Sequence, residues 1–178
     1  LENALVRMEL RRIMNIKRDN NGPEKVWALG IEGVGKDTYA YALAEAKHPA
    51  DPNARLNHVF RIDACRTEAD TSRIFGANPQ YVNAWEITEL IKFAVKHSGG
   101  KYHMEKNSQG YDCVKPGPGK EPQFQPHEGI LFVNEFHDWG EKATNLVLKE
   151  FLETGRLKIN SPNGGVAEIY VPLTTYIA

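Results

Sequence analysis

The stretch Gly30-Ile31-Glu32-Gly33-Val34-Gly35-Lys36-Asp37 constrains this chain more than any other. It lies between an apolar segment, Val26-Trp27-Ala28-Leu29, and an alanine-rich segment from Asp37 to Lys47. A glycine-rich turn between a strand and a helix aims backbone N–H groups and the positive helix end at one point. A lysine that follows it reaches the β and γ phosphates of a bound chain. The expected phosphate-binding residues are Gly30, Gly33, Val34, Gly35, Lys36, Asp37 and Thr38. The position after the lysine normally offers a Ser or Thr hydroxyl to Mg2+. Here it is Asp37, which either binds the metal as an anion or repels the phosphates. That repulsion is about 1 kcal/mol in water and about 4 kcal/mol at an effective dielectric near 20, for charges about 4 Å apart. Thr38 is no simple substitute, because one step along a helix turns the side chain by roughly 100°. The plainer alternative is a glycine-rich turn that binds nothing.

With 178 residues, 41% hydrophobic and 25% charged, the chain suits one folded domain with a sizeable core. Its formal net charge of -1 argues against a nucleic-acid footprint spread over the surface. Arg7, Arg11, Arg12, Lys17 and Arg18 form a local basic run, which on a helix is the usual solvated face. Cys65 and Cys113 are far apart and lack metal-type spacing, so free thiols in a reducing, cytoplasmic compartment are expected. The six histidines make no ligand pair, and no apolar run reaches membrane-spanning length. A chain that starts at Leu1 in a helical pattern and stops at Ala178 on an apolar run reads as a fragment of something longer.

Leu5, Met8, Leu10, Ile13 and Ile16 predict an amphipathic helix ended by Asn20-Asn21-Gly22-Pro23. After the glycine-rich turn, a helix over 37–47 leads through a proline-bearing loop to a strand at His58-Val59-Phe60-Arg61-Ile62. Trp85, Ile87, Leu90, Ile91, Ala94 and Val95 give a second helical stripe. Gly129-Ile130-Leu131-Phe132-Val133 reads as a central strand, followed by a helix over 144–153. Leu157-Lys158-Ile159 and Val166 to Ile169, joined by Ser161-Pro162-Asn163-Gly164-Gly165, predict a hairpin, and 170–177 a further strand. Alternating strands and helices imply an α/β fold with a parallel sheet flanked by helices. Residues 99–128, rich in Pro and Gly, read as an inserted loop on the side of the sheet away from the phosphates.

A phosphate site of this kind needs a second acidic position, and Leu131-Phe132-Val133-Asn134-Glu135 is the natural candidate. The carboxylate that usually holds Mg2+ there is replaced by Asn134, while Glu135 remains to polarise an attacking water. Asp37 and Asn134 together conserve the local number of negative charges and move one of them, so the two are expected to share the metal. Decay of a metal site, with the fold kept for assembly, is the competing account.

These segments together resemble the second ATPase module of the Clp-type AAA+ ATPases, over nearly the whole chain. The most specific part is Phe60-Arg61-Ile62-Asp63 with Ser72-Arg73-Ile74-Phe75-Gly76-Ala77-Asn78-Pro79-Gln80-Tyr81-Val82. Asn145-Leu146-Val147-Leu148, Phe151-Leu152 and Gly155-Arg156-Leu157 continue the likeness. The resemblance implies the large α/β subdomain of a P-loop NTPase that binds ATP and Mg2+ and works in a homo-oligomeric ring. It implies that Tyr81 and Val82 grip a polypeptide substrate, that Lys36 and Glu135 serve hydrolysis, and that Tyr176 falls near a sensor position. An aromatic on a proline-anchored loop suits that grip, since it holds varied side chains without reading sequence. The chain departs from the family at Asp37, Asn134 and Gln80, where threonine, aspartate and glycine are expected, and it ends before the arginine finger and the helical lid. Hydrolysis is therefore expected to be weak or lost.

Two other readings remain open. Gly35-Lys36-Asp37-Thr38 also resembles the P-loop ending of some nucleoside monophosphate kinases, although such enzymes need an arginine-rich lid and residues 99–128 contain no arginine. A pseudo-ATPase scaffold that binds no nucleotide, with Lys115 to Pro126 as a partner-binding loop, is the third. No nucleic-acid or membrane partner is expected.

Overall fold

A computed structural model describes residues 24–29, 35–63, 66–76, 86–140 and 148–178. The expected N-terminal helix, residues 30–34 of the glycine-rich turn, Tyr81 and Val82, and the start of the helix expected over 144–153 lie outside the described residues.

Four parallel strands form the central sheet, in the order β1 (Lys25–Trp27), β8 (Thr174–Ile177), β5 (Ile130–Val133) and β2 (Val59–Ile62). Register pairs Val26 with Tyr176, Phe132 with Tyr176, and Arg61 with Phe132. Every residue of β5 and β8 is buried, as expected for central parallel strands covered on both faces. Side-chain alternation divides the core. Ile130, Phe132 and Tyr176 face α1 (Lys36–Lys47), where Ala40, Leu43 and Ala44 form a buried stripe of mostly small residues that seats the helix close to the sheet. Leu131, Val133, Ile62 and Ile177 face the opposite layer, with α4 (Glu89–Lys96), Phe151 of α5 (Lys149–Thr154), Leu148 just before it, and Val171 and Leu173.

Two short helices complete this frame. α2 (Ala54–His58) runs directly into β2, and α3 (Glu68–Phe75) begins at a capping box in which Thr67 Oγ1 accepts from Asp70 N while the Asp70 carboxylate accepts from Thr67 N. The expected hairpin is present as β6 (Arg156–Lys158) and β7 (Glu168–Tyr170).

The segment expected as an inserted loop is largely structured. Within it β3 (Tyr102–Lys106) and β4 (Asp112–Pro116) pair antiparallel from Tyr102↔Pro116 to Lys106↔Asp112. Asn107 closes the turn, its Oδ1 accepting from Gln109 N and Tyr111 N. The second hairpin packs against it: Val166 N donates to Val114 O, Asn163 Nδ2 to Asp112 O and Lys115 Nζ to Gly164 O.

Candidate functional site

The C-terminal ends of the parallel strands and the first turn of α1 converge on one polar chain of side chains. Gly35, at φ 82, provides the left-handed residue from which α1 starts, and no side chain caps the helix there. Lys36, Asp37 and Thr38 form its first turn, where the helix dipole favours the Asp37 carboxylate. Asp37 faces the end of β2. Arg61 Nη1 donates to Asp37 Oδ2 at 2.7 Å, and Arg61 Nε donates to Asp63 Oδ1 at 2.8 Å. Asp63 Oδ1 also accepts from Asn134 Nδ2 at 3.0 Å. The result is a continuous network, Asp37–Arg61–Asp63–Asn134, linking the helix that follows the glycine-rich turn to the strand end that carries Glu135.

Arg61 lies across the ring of Phe132, its register partner, with the guanidinium carbon 5.3 Å from the ring centroid. Burial works against its charge. Hydrogen bonds to Asp63 and Tyr41 and the nearby charges of Asp63 and Asp37 outweigh it, and the guanidinium is held protonated more firmly than usual. For Asp63, burial opposes ionisation, and the bonds from Asn134 and Arg61 prevail, so its carboxyl titrates below the usual range.

Asn134 is 6% exposed and fixed from three sides. Its N–H donates to Ile62 O, its carbonyl accepts from Trp139 Nε1, and its amide nitrogen is directed to Asp63. The next residue, Glu135, has φ 50 and ψ 46, a left-handed conformation that a residue with a Cβ adopts at a cost. Its carboxylate is partly exposed, with His137 Nε2 at 3.5 Å. Beyond it, Phe136 N donates to Ala178 O and Asp138 pairs with Arg66.

Tyr176 lies beneath this layer. It is 1% exposed, stacked on Tyr39 with centroids 5.9 Å apart, and its hydroxyl donates to the carbonyl of Lys36 at 2.9 Å. It therefore supports the first turn of α1 from the core side.

Of the residues expected from sequence, Gly35, Lys36, Asp37 and Thr38 sit on one helix start, and Asp37, Asn134 and Tyr176 are tied to it or to its network. Gly30, Gly33, Val34, Tyr81 and Val82 lie outside the described residues. Arg61 and Asp63 carry no role in the sequence motif alone. A charged pair spaced by two at a strand's C-terminal end was the available signal. The residues expected to share a Mg2+ do not fit one as folded: Asp37 holds a guanidinium, and Asn134 turns its donor nitrogen toward Asp63. Among the described residues no group of three or more His, Cys, Asp or Glu side chains is arranged to hold a metal ion.

No protein-family model matches the chain, and a search of curated proteins found no match either. The described residues include no helix long and apolar enough to cross a membrane.

Proposed function

We propose that this chain is the large α/β subdomain of a divergent Clp-like AAA+ ATPase, a P-loop NTPase fold that binds ATP at the start of α1 and hydrolyses it weakly or not at all. The observation that carries this reading is the Asp37–Arg61–Asp63–Asn134 network. It joins the helix after the glycine-rich turn to the Asn134–Glu135 strand end, at the edge of the parallel sheet where open α/β sheets take their ligands. Lys36 and the N-terminal amides of α1 would hold the phosphates, and Glu135 would orient water. In a ring of like subunits, Tyr81 and Val82 would contact the polypeptide that is threaded or remodelled.

A nucleoside monophosphate kinase is favoured less, because such enzymes need an arginine-rich lid, and the inserted segment 99–128 contains no arginine and is a hairpin pinned to the β6–β7 hairpin. A scaffold without nucleotide draws support from the same substitutions, since Arg61 already satisfies Asp37. Calorimetric titration of ATP into the protein separates the two. Binding, followed by phosphate release that Glu135→Gln abolishes, supports a weak ATPase. Binding with no phosphate release supports a nucleotide-holding module, and no heat at millimolar nucleotide supports the scaffold.

A further inference from the structure

The relationship between Asp37 and Arg61 bears on how such a site would be charged. In a Mg2+-dependent phosphate site, a hydroxyl on the helix and a carboxylate on the neighbouring strand leave room for a hydrated dication with near-octahedral geometry. This chain has the reverse distribution. The carboxylate sits on the helix, an amide sits on the strand, and a permanently charged guanidinium lies between the helix carboxylate and the carboxylate that the amide contacts. Arg61 keeps its charge at every accessible pH, and its planar fork matches two carboxylates at once. It is held in place by the Phe132 ring. A dication binding Asp37 would have to displace this fork or sit against its charge.

Resting on the nucleotide reading above, we propose that Arg61 fills the electrostatic position of the divalent cation, so that the site takes a nucleoside polyphosphate without a divalent metal. Asp37 then has a defined role. It is the anion that fixes Arg61 against the first turn of α1, and Asp63 with Asn134 fixes the other side of the same guanidinium. Asp37 and Asn134 become the two ends of one adaptation, in which an internal cation replaces a bound one.

The test titrates ATP calorimetrically in buffer with EDTA and in buffer with magnesium. The expected result is dissociation constants that agree within about threefold. Arg61→Gln should weaken binding in EDTA by about tenfold or more and make it magnesium-dependent, while Arg61→Lys, which keeps the charge, should stay metal-independent. In parallel, Mn2+ alone is titrated and followed by its paramagnetic resonance signal. Wild type should leave the free Mn2+ signal undiminished, and Arg61→Gln, with Asp37 and Asp63 released, should deplete it. ATP binding about tenfold tighter in magnesium, or Mn2+ capture by the wild type, overturns the proposal and leaves the nucleotide reading standing. Absence of ATP binding in both buffers overturns the nucleotide reading, and this proposal falls with it.

Discussion

His58 Nδ1 lies 3.2 Å from His97 Nε2, and both rings are buried at the N-terminal end of the sheet, opposite the candidate phosphate site. His97 Nδ1 lies 3.0 Å from the carbonyl of Phe93, which makes Nδ1 the protonated nitrogen of that ring. His48 stacks on His58 with centroids 3.5 Å apart, and Phe124 packs against both His58 and His97. The charged groups facing the cluster are Asp51, whose Oδ2 is 3.3 Å from His58 Nε2, together with Glu128 and Lys96.

This cluster predicts acid lability. Burial pushes the His97 imidazole down to about 4, and burial followed by the charge of His48 lowers His58 as well. The unfolded chain takes up these protons near pH 6.5, before the folded one does. The stabilisation is therefore complete above about pH 6.5 and is lost as the pH falls from there toward 4, on the order of 3 kcal/mol for His97. Urea unfolding at pH 7.5, 6 and 5, with pH 7.5 as the reference, should show this decline. His97→Phe should be less stable at pH 7.5 but lose less between pH 7.5 and 5. Parallel declines in the two proteins would mean that carboxylates elsewhere set the acid limit.

The left-handed backbone at Glu135 predicts that Glu135→Gly relieves strain and raises stability by up to about 1 kcal/mol, the gain being reduced by the extra freedom of glycine in the unfolded chain. Glu135→Ala keeps the Cβ and should show no such gain. A loss above about 1 kcal/mol for the glycine variant would show that the carboxylate holds this turn together, and that its contact with His137 is structural.

Two glycines separate the need for space from the need for backbone freedom. A Cβ on Gly165 would run into the Val114 carbonyl oxygen, where the two hairpins meet, and its φ is unremarkable. On Gly110, at φ 85, a Cβ would meet nothing within 4 Å. Gly165→Ala should cost about 2 kcal/mol or more by forcing the hairpins apart, and Gly110→Ala about 1 kcal/mol from φ alone. Thermal melts of the two variants rank them. The reverse order would mean that β4 and residue 165 are not packed together as described.

The sheet and α1 were legible because their patterns are local. Residues 130–133 are uniformly apolar, and the segment 37–47 is rich in alanine, the strongest helix former. Residues 99–128 read as a loop because Pro116, Gly117, Pro118 and Gly119 mark only the exit from the hairpin, while its partners are α4 and a second hairpin some fifty residues later. Thr67-Glu68-Ala69-Asp70 carried the capping-box signature of α3 and could have been read directly. The Arg61–Asp37 bond joins residues 24 apart through the packing of α1 on the sheet. Alternation along β2 shows that Arg61 shares a face with Val59, and the orientation of that face toward α1 exists only once the sheet is assembled.

Tyr176 carries the last prediction, because its position separates a structural floor from a sensor. Its hydroxyl is directed to the Lys36 carbonyl, which lies within α1 and has the helix's own N–H available, so losing the phenolic donor leaves no stranded acceptor. Tyr176→Phe should then cost about 1 kcal/mol and leave ATP affinity within about threefold of wild type. Tyr176→Asn, which restores the polar side chain expected at the sensor position, removes a ring packed between Tyr39 and Phe132. It should cost about 3 to 5 kcal/mol, as large buried aromatic truncations do. Chemical denaturation and ATP titration of both variants decide the matter. A phenylalanine variant with normal stability but about tenfold weaker binding would assign the hydroxyl to the ligand; the predicted pattern would assign it to the footing of Lys36.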